Sequence, residues 1–564
     1  MKKGLNKLSK LILNHKVDGY IVPKNDDFFT EQVKHDRLKF ISNFTGSAGL
    51  AIIFADKNYL FVDSRYTIQA KQESGKNFKI VKIHKKLPKN LFKNISLGYD
   101  PSIFTFSQLK FLFGNKIKLK PINKNLVDQI YKIKKKKLEP FYSLPNNVTG
   151  VTHKKKINLV SKYIKSKKAD FLFISAPENV AWLLNIRGSD TPFSPLPNCN
   201  LILSKNKKIY LLVEKYKVRK LIKENKVKVS QIIKKENFEN LILNLKGKKF
   251  IIDNKTLSIL NEKIINSKFL ISSRVDPCYF LKSMKNKTEI KNMIQSHISD
   301  GIALTKFIFW IKHLKSKNIT ELEAEKKLEK FRKKNKNYLY PSFNTIAGSG
   351  SNGAIVHYRA TKKTNKIIKK NDLFLCDSGG QYKFGTTDVT RTICFKKQPL
   401  KIKNIFTLVL KGHIAVVTSN LVKDNTGKKL DFHARKYLKK FNLDYGHGTG
   451  HGVGYFLNVH EGPQSISKFN NIKLEEGMIL SNEPGYYKEG KFGIRIENLI
   501  YICKKEKKLS FENLTLVPID KDLINYKLLN KREKDYLFRY HLFIYTTLSK
   551  YLNINEKKWL IKNL

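Results

Sequence analysis

Two apolar stretches in the C-terminal half of this chain each carry a pair of acidic residues, and few folds accommodate that combination. Residues 372–395 and 479–502 both show a β-branched run, a glycine-containing turn and a second apolar run, which is typical of a β-hairpin. The acids in or beside the apolar runs of these predicted hairpins are Asp377, Asp388, Glu483 and Glu497. An ionised carboxylate in an apolar strand costs several kcal/mol unless a partner or a cation compensates its charge. A shared cation is therefore the simplest explanation for all four acids, whereas each acid alone is equally consistent with a salt-bridged strand residue.

A stretch rich in glycine and histidine lies between the two predicted hairpins. Residues 446–463 read GHGTGHGVGYFLNVHEGP and contain His447, His451 and His460. Histidine is the commonest metal ligand, and it transfers protons near neutral pH. Glycines beside it let a backbone or a substrate approach closely. We expect a catalytic loop whose glycines clear space for a substrate; the alternative is a glycine-rich loop whose histidines are only structural.

The four acids and one histidine together form an oxygen-rich ligand set. Such a set suits two divalent metal ions, with Mn²⁺ expected and Zn²⁺ or Co²⁺ as alternatives. The predicted ligands are Asp377, Asp388, His451, Glu483 and Glu497. A further histidine, His357, follows a glycine-serine loop in SFNTIAGSGSNGAIVHY, where we predict a short strand at AIVHY. A lone histidine at a strand end is usually structural, so His357 gains importance only from the other motifs.

The rest of the chain predicts an α/β (α+β) protein of three domains. Residues 1–145 and 150–285 both place helical patterns before short apolar strands such as DGYIVP and ADFLFISAP, so we expect two related α/β domains. The basic run 132–137 marks a linker between them. Residues 286–564 begin with a long amphipathic helix, followed by a second helix whose start, TELE, matches a capping box. This third domain carries all the predicted metal ligands.

Composition excludes several other classes of protein. Five cysteines without a CxxC pair, in 564 residues, argue against a disulfide framework or a zinc-cysteine site and favour a reducing cytoplasm. The apolar runs are far shorter than the ~20 residues of a membrane-spanning helix, so we expect no membrane segment. The formal charge is +64, but only 12 of the 110 basic residues are arginine, and the lysines are spread along the whole chain. We attribute the charge to compositional bias rather than to nucleic-acid binding, which favours arginine and a local patch.

Several motifs occur in an order that resembles one family of enzymes. They are FTGSAG, VDSRY and NVAWLLNIRGSD in the predicted N-terminal domains, followed by SNGAIVHY, DSGGQYKFGTTDVTRT, KGHIAV, HGTGHGVGYFLNVHEGP, NEPGYY, FGIRIEN and LTLVPI. Together they resemble the aminopeptidase P (Xaa-Pro aminopeptidase) branch of the pita-bread metallopeptidases, in its long, three-domain form. The resemblance spans nearly the whole chain. It implies two creatinase-like N-terminal domains followed by a catalytic pita-bread metallopeptidase domain.

The resemblance also implies how the metal ligands work. Asp388 and Glu497 would bridge the two ions, and a hydroxide activated by both ions would attack the scissile carbonyl. Glu483 would be the general base that takes the water proton.

Four further residues take substrate-directed roles by the same resemblance. His357 and His460 would hydrogen-bond the substrate carbonyl and the developing oxyanion. His447 would shuttle protons. Arg65, in VDSRY, would lie near the substrate across the interface of a homodimer.

The leading interpretation is a cytoplasmic, homodimeric metalloaminopeptidase that hydrolyses the N-terminal Xaa-Pro bond of peptides. The peptide bond before proline has no N–H, so aminopeptidases that bind that N–H cannot use it. Two alternatives are a prolidase-like Xaa-Pro dipeptidase and a non-catalytic pita-bread protein that binds nucleic acid or other proteins. Every predicted ligand is present, which favours a catalytic protein.

Overall fold

The computed structural model describes residues 2–83, 87, 92, 94–114, 117–131, 139–314 and 318–562. The chain forms two compact units, Met1–Leu281 and Lys282–Leu564. The division into three domains stays a prediction, and the linker predicted at 132–137 lies outside the described residues. Within the described ranges, no helix is both long and apolar enough to cross a bilayer.

The first unit begins with a six-stranded mixed sheet and the helices that cover it. The helices are α1 (Lys2–Asn14), α2 (Arg37–Ser42), α3 (Thr67–Ser74), α4 (Phe106–Phe113) and α5 (Leu126–Ile130). The strands are β1 (Gly19–Pro23), β2 (Leu50–Phe54), β3 (Asn58–Val62), β4 (Lys79–Lys82), β5 (Ser96–Tyr99) and β6 (Lys118–Pro121). Helix α1 buries Leu5, Leu8 and Ile12 in the core beside this sheet, as its amphipathic sequence pattern predicts.

A second six-stranded sheet follows in the same unit. A separate short pair is formed by β7 (Tyr142–Ser143) and β9 (Ile186–Arg187). The six strands of the sheet are β8 (Phe171–Ile174), β10 (Asn200–Ser204), β11 (Ile209–Leu212), β12 (Ile232–Ile233), β13 (Lys249–Ile252) and β14 (Leu270–Ser273). The helices are α6 (Asn146–Thr149), α7 (His153–Ser166), α8 (Pro177–Leu184), α9 (Arg219–Lys223), α10 (Phe238–Asn244), α11 (Ile259–Asn266) and α12 (Pro277–Leu281).

The two sheets share one topology. Their strand orders are β4-β3-β2-β1-β5-β6 and β12-β11-β10-β8-β13-β14. In each sheet the first strand pairs antiparallel with the second and parallel with the fifth, and the outer strands β4, β6, β12 and β14 all pair parallel. Strand order is a more specific sign of a repeat than a helix followed by a strand. The expectation of two related α/β folds is therefore confirmed.

The second unit packs helices against short antiparallel sheets. Its helices are α13 (Lys287–Lys312), α14 (Glu321–Arg332), α15 (Leu400–Val417), α16 (Gly427–Lys439), α17 (Lys531–Leu548) and α18 (Ile554–Ile561). Its strands are β15 (Tyr338–Pro341), β16 (Ile346–Ser349), β17 (Phe374–Ser378), β18 (Gly380–Tyr382), β19 (Gly385–Thr386), β20 (Val389–Ile393), β21 (Gly450–Gly452), β22 (Glu461–Ile466), β23 (Ile479–Asn482), β24 (Gly485–Lys488), β25 (Phe492–Arg495), β26 (Asn498–Lys505) and β27 (Lys508–Asn513). The sheets run β15-β18-β19, β16-β17-β20, β22-β21-β23-β26-β27 and β24-β25.

The two helices predicted at the start of this unit are confirmed, and so is the capping box predicted for the second. Asn286 caps α13 and forms a capping box with Glu289. At α14, the Thr320 hydroxyl accepts from the Glu323 N–H at 3.3 Å, and the Glu323 carboxylate accepts from the Thr320 N–H at 2.8 Å. This is the reciprocal pair that the sequence TELE predicts.

The prediction of a strand at AIVHY is wrong. The segment forms a 3₁₀ turn over Gly350–Ala354 and continues as a tight turn. The buried carboxylate of Glu321 accepts hydrogen bonds from the Ser349 N–H at 2.7 Å, from Asn352 Nδ2 at 3.0 Å and from the Tyr358 hydroxyl at 2.8 Å. Because one carboxylate binds both ends of the segment, the chain curls around it instead of extending.

Candidate metal centre

The four predicted acids lie where the paired strands of the two hairpins separate, not inside uninterrupted strands. Asp377 is the next-to-last residue of β17, and Asp388 immediately precedes its antiparallel partner β20. Glu483 immediately follows β23, and Glu497 immediately precedes the partner strand β26. The simple hairpins predicted from sequence are corrected here, because β18 and β19 interrupt the first and β24 and β25 interrupt the second.

Backbone hydrogen bonds join the two acid-bearing hairpins to each other and to the histidine loop. The Glu497 N–H donates to the carbonyl of Thr390 at 3.1 Å, and the Thr390 hydroxyl donates to the Glu497 carboxylate at 2.8 Å. The Glu483 N–H donates to the carbonyl of Thr449 at 2.8 Å. Three segments distant in sequence are therefore fixed relative to one another by the backbone.

This arrangement brings the predicted ligands together. One donor atom from each of Asp388, His451 and Glu497 lies within 4.8 Å of the other two. The charges of Asp377 and Glu483 act on both Asp388 and Glu497, so the remaining acids border the same space. Sequence reasoning found all five residues of this cluster.

Electrostatics favour a further cation at this cluster. Burial and the charges of the neighbouring carboxylates raise the pKa of Asp388 and of Glu497 well above the usual range. Burial raises the pKa of Glu483 to about 7. The Oδ1 atoms of Asp377 and Asp388 are buried and accept no hydrogen bond. Carboxylates that repel one another and keep unused acceptors fit divalent metal ions, which bind oxygen ligands.

The protonation of His451 supports the same conclusion. Its Nδ1 lies 2.9 Å from the carbonyl oxygen of Gly452. A carbonyl only accepts, so Nδ1 carries the proton and Nε2 presents a lone pair. Nε2 lies 3.5 Å from Asp388 Oδ2 and 3.7 Å from Glu483 Oε1. Burial holds the pKa of His451 well below its usual range, so the ring stays neutral. A lone pair that faces two carboxylates fits a cation between the three groups. The Gly452 carbonyl sets the tautomer of His451, as backbone carbonyls often do for metal-bound histidines.

His447 and His460, which flank His451 in the sequence, also lie beside this cluster. The His460 ring is packed edge to face on His451, with centroids 4.2 Å apart. His447 Nδ1 lies 3.9 Å from Glu483 Oε2, and its Nε2 is 2.9 Å from the Tyr487 hydroxyl. The structure therefore brings both histidines to the predicted ligands.

His357 and Arg65 are placed differently. His357 is half-buried in the turn that follows the 3₁₀ segment, and the carbonyl of the preceding Val356 accepts from Arg495 Nη2 at 3.4 Å. Arg65 belongs to the first unit, where its guanidinium forms a two-bond ion pair with Asp63, at 2.9 and 2.7 Å. The charge of Asp63 and this hydrogen bonding keep the pKa of Arg65 raised despite burial.

Sequence reasoning missed Arg495 and Tyr487. Arg495 is fully buried, and its Nη2 donates to Asp377 Oδ2 at 2.6 Å. Its Nη1 donates to the Tyr487 hydroxyl at 2.6 Å, which in turn contacts His447. An arginine in the strand pattern FGIRIEN, two residues before a predicted ligand, was the available signal, because a buried guanidinium needs acidic or carbonyl partners.

A second group of possible ligands does not form a metal site. Cys394, Asp520 and Asp522 place donor atoms within 4.8 Å of one another. The ammonium of Lys312 already occupies this position, at 2.7 Å from Asp520 and 2.9 Å from Asp522. The group is a lysine ion pair.

Two glycines of the histidine loop serve close strand packing, whereas the sequence suggested that they clear space for substrate. A Cβ on Gly450 would lie 1.9 Å from the carbonyl oxygen of Ser481, and one on Gly452 would lie 2.4 Å from the carbonyl oxygen of Glu461. Both glycines allow β21 to pack closely against its neighbouring strands. At Gly448, by contrast, the nearest atom to a Cβ would be 3.5 Å away.

Comparison with known protein families agrees with this architecture. Residues 5–130 and 132–289 each match a creatinase/prolidase N-terminal domain. Residues 291–504 match metallopeptidase family M24, and residues 507–564 match the C-terminal region of that family. The two related sheets and the acid-bearing unit therefore correspond to creatinase N-terminal domains followed by a pita-bread metallopeptidase domain.

Individual relatives are similar over their full length. A probable Xaa-Pro aminopeptidase P of Laccaria bicolor is 37% identical, with 99% of this chain and 92% of the relative covered. Xaa-Pro aminopeptidase 1 of Dictyostelium discoideum is 34% identical over 96% of this chain and 92% of its own length.

Two solved structures extend the comparison to three dimensions. The X-prolyl aminopeptidase of Caenorhabditis elegans, described as a cytosolic enzyme with a di-nuclear active site, has a TM-score of 0.91 at 29% identity and covers 100% of this chain and 99% of its own. The prolidase of Pyrococcus furiosus covers 63% of this chain and 98% of its own, with a TM-score of 0.51 at 27% identity. The chain thus belongs to the Xaa-Pro aminopeptidase P family of M24 metallopeptidases.

Proposed function

We propose that this protein is a metal-dependent aminopeptidase that removes the N-terminal residue from peptides whose second residue is proline. The observation that carries the proposal is the neutral His451, whose Nε2 lone pair faces the carboxylates of Asp388 and Glu483. Such a site is repulsive when empty and favourable with divalent cations. Full-length similarity to proteins named Xaa-Pro aminopeptidases gives the substrate class.

The ligands in this proposal are Asp377, Asp388, His451, Glu483 and Glu497. By the resemblance to aminopeptidase P, Asp388 and Glu497 would be the ligands shared by both ions, and their donor atoms lie within 4.8 Å of each other and of His451. We propose two ions, with Mn²⁺ preferred over Zn²⁺ or Co²⁺ because four of the five ligands are carboxylates. When bound, such ions lower the pKa of a water molecule and polarise a substrate carbonyl.

The remaining steps belong to side chains of this chain. Glu483 takes a proton from the attacking water as the general base. His447 relays that proton to the leaving amine. Its Nδ1 donates to the Gly448 carbonyl at 2.7 Å, so the ring takes up the proton at Nε2, which faces the Tyr487 hydroxyl at 2.9 Å. His460 and His357 donate hydrogen bonds to the substrate carbonyl as negative charge develops on its oxygen.

The specificity for proline has a chemical basis. The bond before proline is a tertiary amide, so the substrate offers no N–H there and needs no acceptor from the enzyme. We propose that Arg65 contributes to substrate binding across a homodimer interface. We also propose that the protein works in the cytosol, which agrees with five cysteines that are all free thiols and mostly buried.

A comparison of three matched peptides tests this function. Purified, Mn²⁺-loaded protein should release the first residue from Lys-Pro-Leu and leave Lys-Ala-Leu essentially intact. Hydrolysis of the dipeptide Lys-Pro alone, without the tripeptide, would instead identify a prolidase-like dipeptidase. Salt-sensitive binding of RNA by protein that holds no metal and cleaves none of the three would identify a non-catalytic binding protein.

A further inference from the structure

Helix α16 carries an ion pair beneath the histidine loop that none of the proposed catalytic roles uses. Arg435 Nε donates to Asp431 Oδ2 at 2.9 Å, one helical turn apart. Their side chains are only 10% and 3% exposed, respectively. A buried ion pair is weak evidence for stability, since removing two charges from water offsets much of their attraction. The other hydrogen bonds of the pair therefore indicate what it does.

The arginine binds the backbone of the histidine loop. Arg435 Nη1 donates to the carbonyl of Tyr445 at 2.9 Å, and Nη2 donates to the carbonyl of His447 at 2.6 Å. Nη1 also donates to the Asp444 carboxylate at 2.6 Å, and the guanidinium carbon lies 3.9 Å from the centroid of the Tyr445 ring. One planar group therefore fixes two alternate carbonyls on the approach to His447.

The aspartate binds the other side of the same loop. Asp431 Oδ1 accepts from the Thr449 hydroxyl at 2.7 Å, and that hydroxyl also contacts the Tyr445 hydroxyl. The carbonyl of Thr449 accepts from the N–H of Glu483 at 2.8 Å. Arg435 thus holds His447, and Asp431 holds Glu483 through Thr449. His447 and Glu483 are the two groups proposed to exchange a proton.

We propose that Arg435 and Asp431 are positioning residues that set the distance between His447 and Glu483 for proton transfer. The inference rests on the proposed aminopeptidase function. Lysine cannot replace Arg435, because a single ammonium group lacks the planar fork that reaches two carbonyls and two carboxylates together. Asparagine at position 431 keeps an acceptor for Thr449 but removes the charge that orients the guanidinium.

The test compares Arg435→Lys and Asp431→Asn with Lys411→Met. Lys411 pairs with Glu533 between α15 and α17, at a similar burial of 13% and 8%, and contacts none of the loop residues named above. For each metal-loaded protein, the measurements are kcat, KM, metal content, melting temperature and hydrogen–deuterium exchange of the peptide 443–450. Arg435→Lys and Asp431→Asn lie in α16 but contact the histidine loop, and they are called the loop variants below. Both should lose about 10- to 100-fold in kcat, the range that small displacements of catalytic groups produce. KM should stay within about threefold, because binding of the ground state is unaffected.

Exchange in 443–450 should be faster in both loop variants and unchanged in Lys411→Met, which should keep the kcat of the parent even if its melting temperature falls. Loop variants that retain the parent kcat per metal-loaded chain would overturn the inference, and so would an equal loss of kcat in Lys411→Met. A parent protein that cleaves no Xaa-Pro peptide would remove the proposed function, and this inference with it. An active parent with unaffected loop variants would remove the inference alone.

Discussion

The imidazole rings of His451 and His460 lie edge to face with their centroids 4.2 Å apart, and a backbone carbonyl sets the tautomer of His451. The Gly452 carbonyl fixes the proton of His451 on Nδ1 and turns Nε2 toward Asp388. We propose separate roles for the two neighbouring rings, with His451 binding metal and His460 binding substrate.

Substitution of each ring should separate those roles. We expect His451→Gln to lower metal content, because the lone pair at Nε2 is lost, and to lower kcat/KM at least ~100-fold. His460→Gln should keep the full metal content and lose kcat, because its contribution is made only as the oxyanion develops. Metal analysis by mass spectrometry and steady-state kinetics check both. Equal metal loss in the two variants would show that His460 is also a ligand.

Glu483 should be the most sensitive acid to a charge-neutral change. Glu483→Gln removes the proposed base and a ligand together, so we expect a loss of at least ~10³-fold in kcat with the fold preserved. Glu476→Gln is the matched control, because Glu476 lies before the same strand, is about half exposed and pairs only with the surface residue Lys504. Turnover by Glu483→Gln at a rate near that of the parent would contradict the proposed mechanism.

The stability of metal-free protein should depend on pH in a definite direction. The pKa values of Asp388, Glu483 and Glu497 are raised in the folded, metal-free chain, by burial first and then by neighbouring acids. Folded protein then holds protons that the unfolded chain releases above about pH 4, so stability falls as pH rises through the folded-state pKa values.

We therefore expect the gain in melting temperature on metal loading to grow between about pH 5 and pH 8. The buried histidines His297 and His413, whose pKa burial lowers, destabilise both forms at the acid end of this range, so the difference between the two forms cancels their effect. Differential scanning calorimetry with and without chelator measures the gain. A gain that stays constant or shrinks over this range would contradict the convergence of the acids.

Substitution by alanine should change the stability of the protein at one glycine of the histidine loop and not at another. At Gly450 a Cβ would lie 1.9 Å from the Ser481 carbonyl oxygen, so Gly450→Ala should destabilise the protein by about 1–3 kcal/mol or more through displacement of β21. At Gly448 the nearest atom would be 3.5 Å away, so Gly448→Ala should be nearly neutral. Chemical denaturation measures both. Similar losses at the two positions would show that the loop, rather than strand packing, limits substitution.

Much of the site was predictable because its constraint is local in the sequence. An acid beside an apolar run is unusual wherever it occurs, so Asp377, Asp388, Glu483 and Glu497 could be identified without knowledge of the fold. Helix caps at Asn286 and Thr320 follow from neighbouring residues for the same reason.

The errors concern long-range contacts. The segment at AIVHY is apolar and β-branched, but Glu321, more than thirty residues earlier, provides the acceptor that curls it. Arg495 and Arg435 were missed because an arginine becomes informative only when its partners, Asp377 and the carbonyl of His447, are known to lie beside it. The glycines were misassigned because the atoms they avoid belong to strands far along the chain.

Titration of metal-free protein with Mn²⁺ tests the central claim most directly. Cleavage of an Xaa-Pro-Yaa tripeptide should be absent without metal, rise with added Mn²⁺, and reach its plateau as bound metal, measured in the same samples, reaches two ions per chain. Turnover that is already maximal in metal-free protein, or a plateau of bound metal with no cleavage, would contradict it.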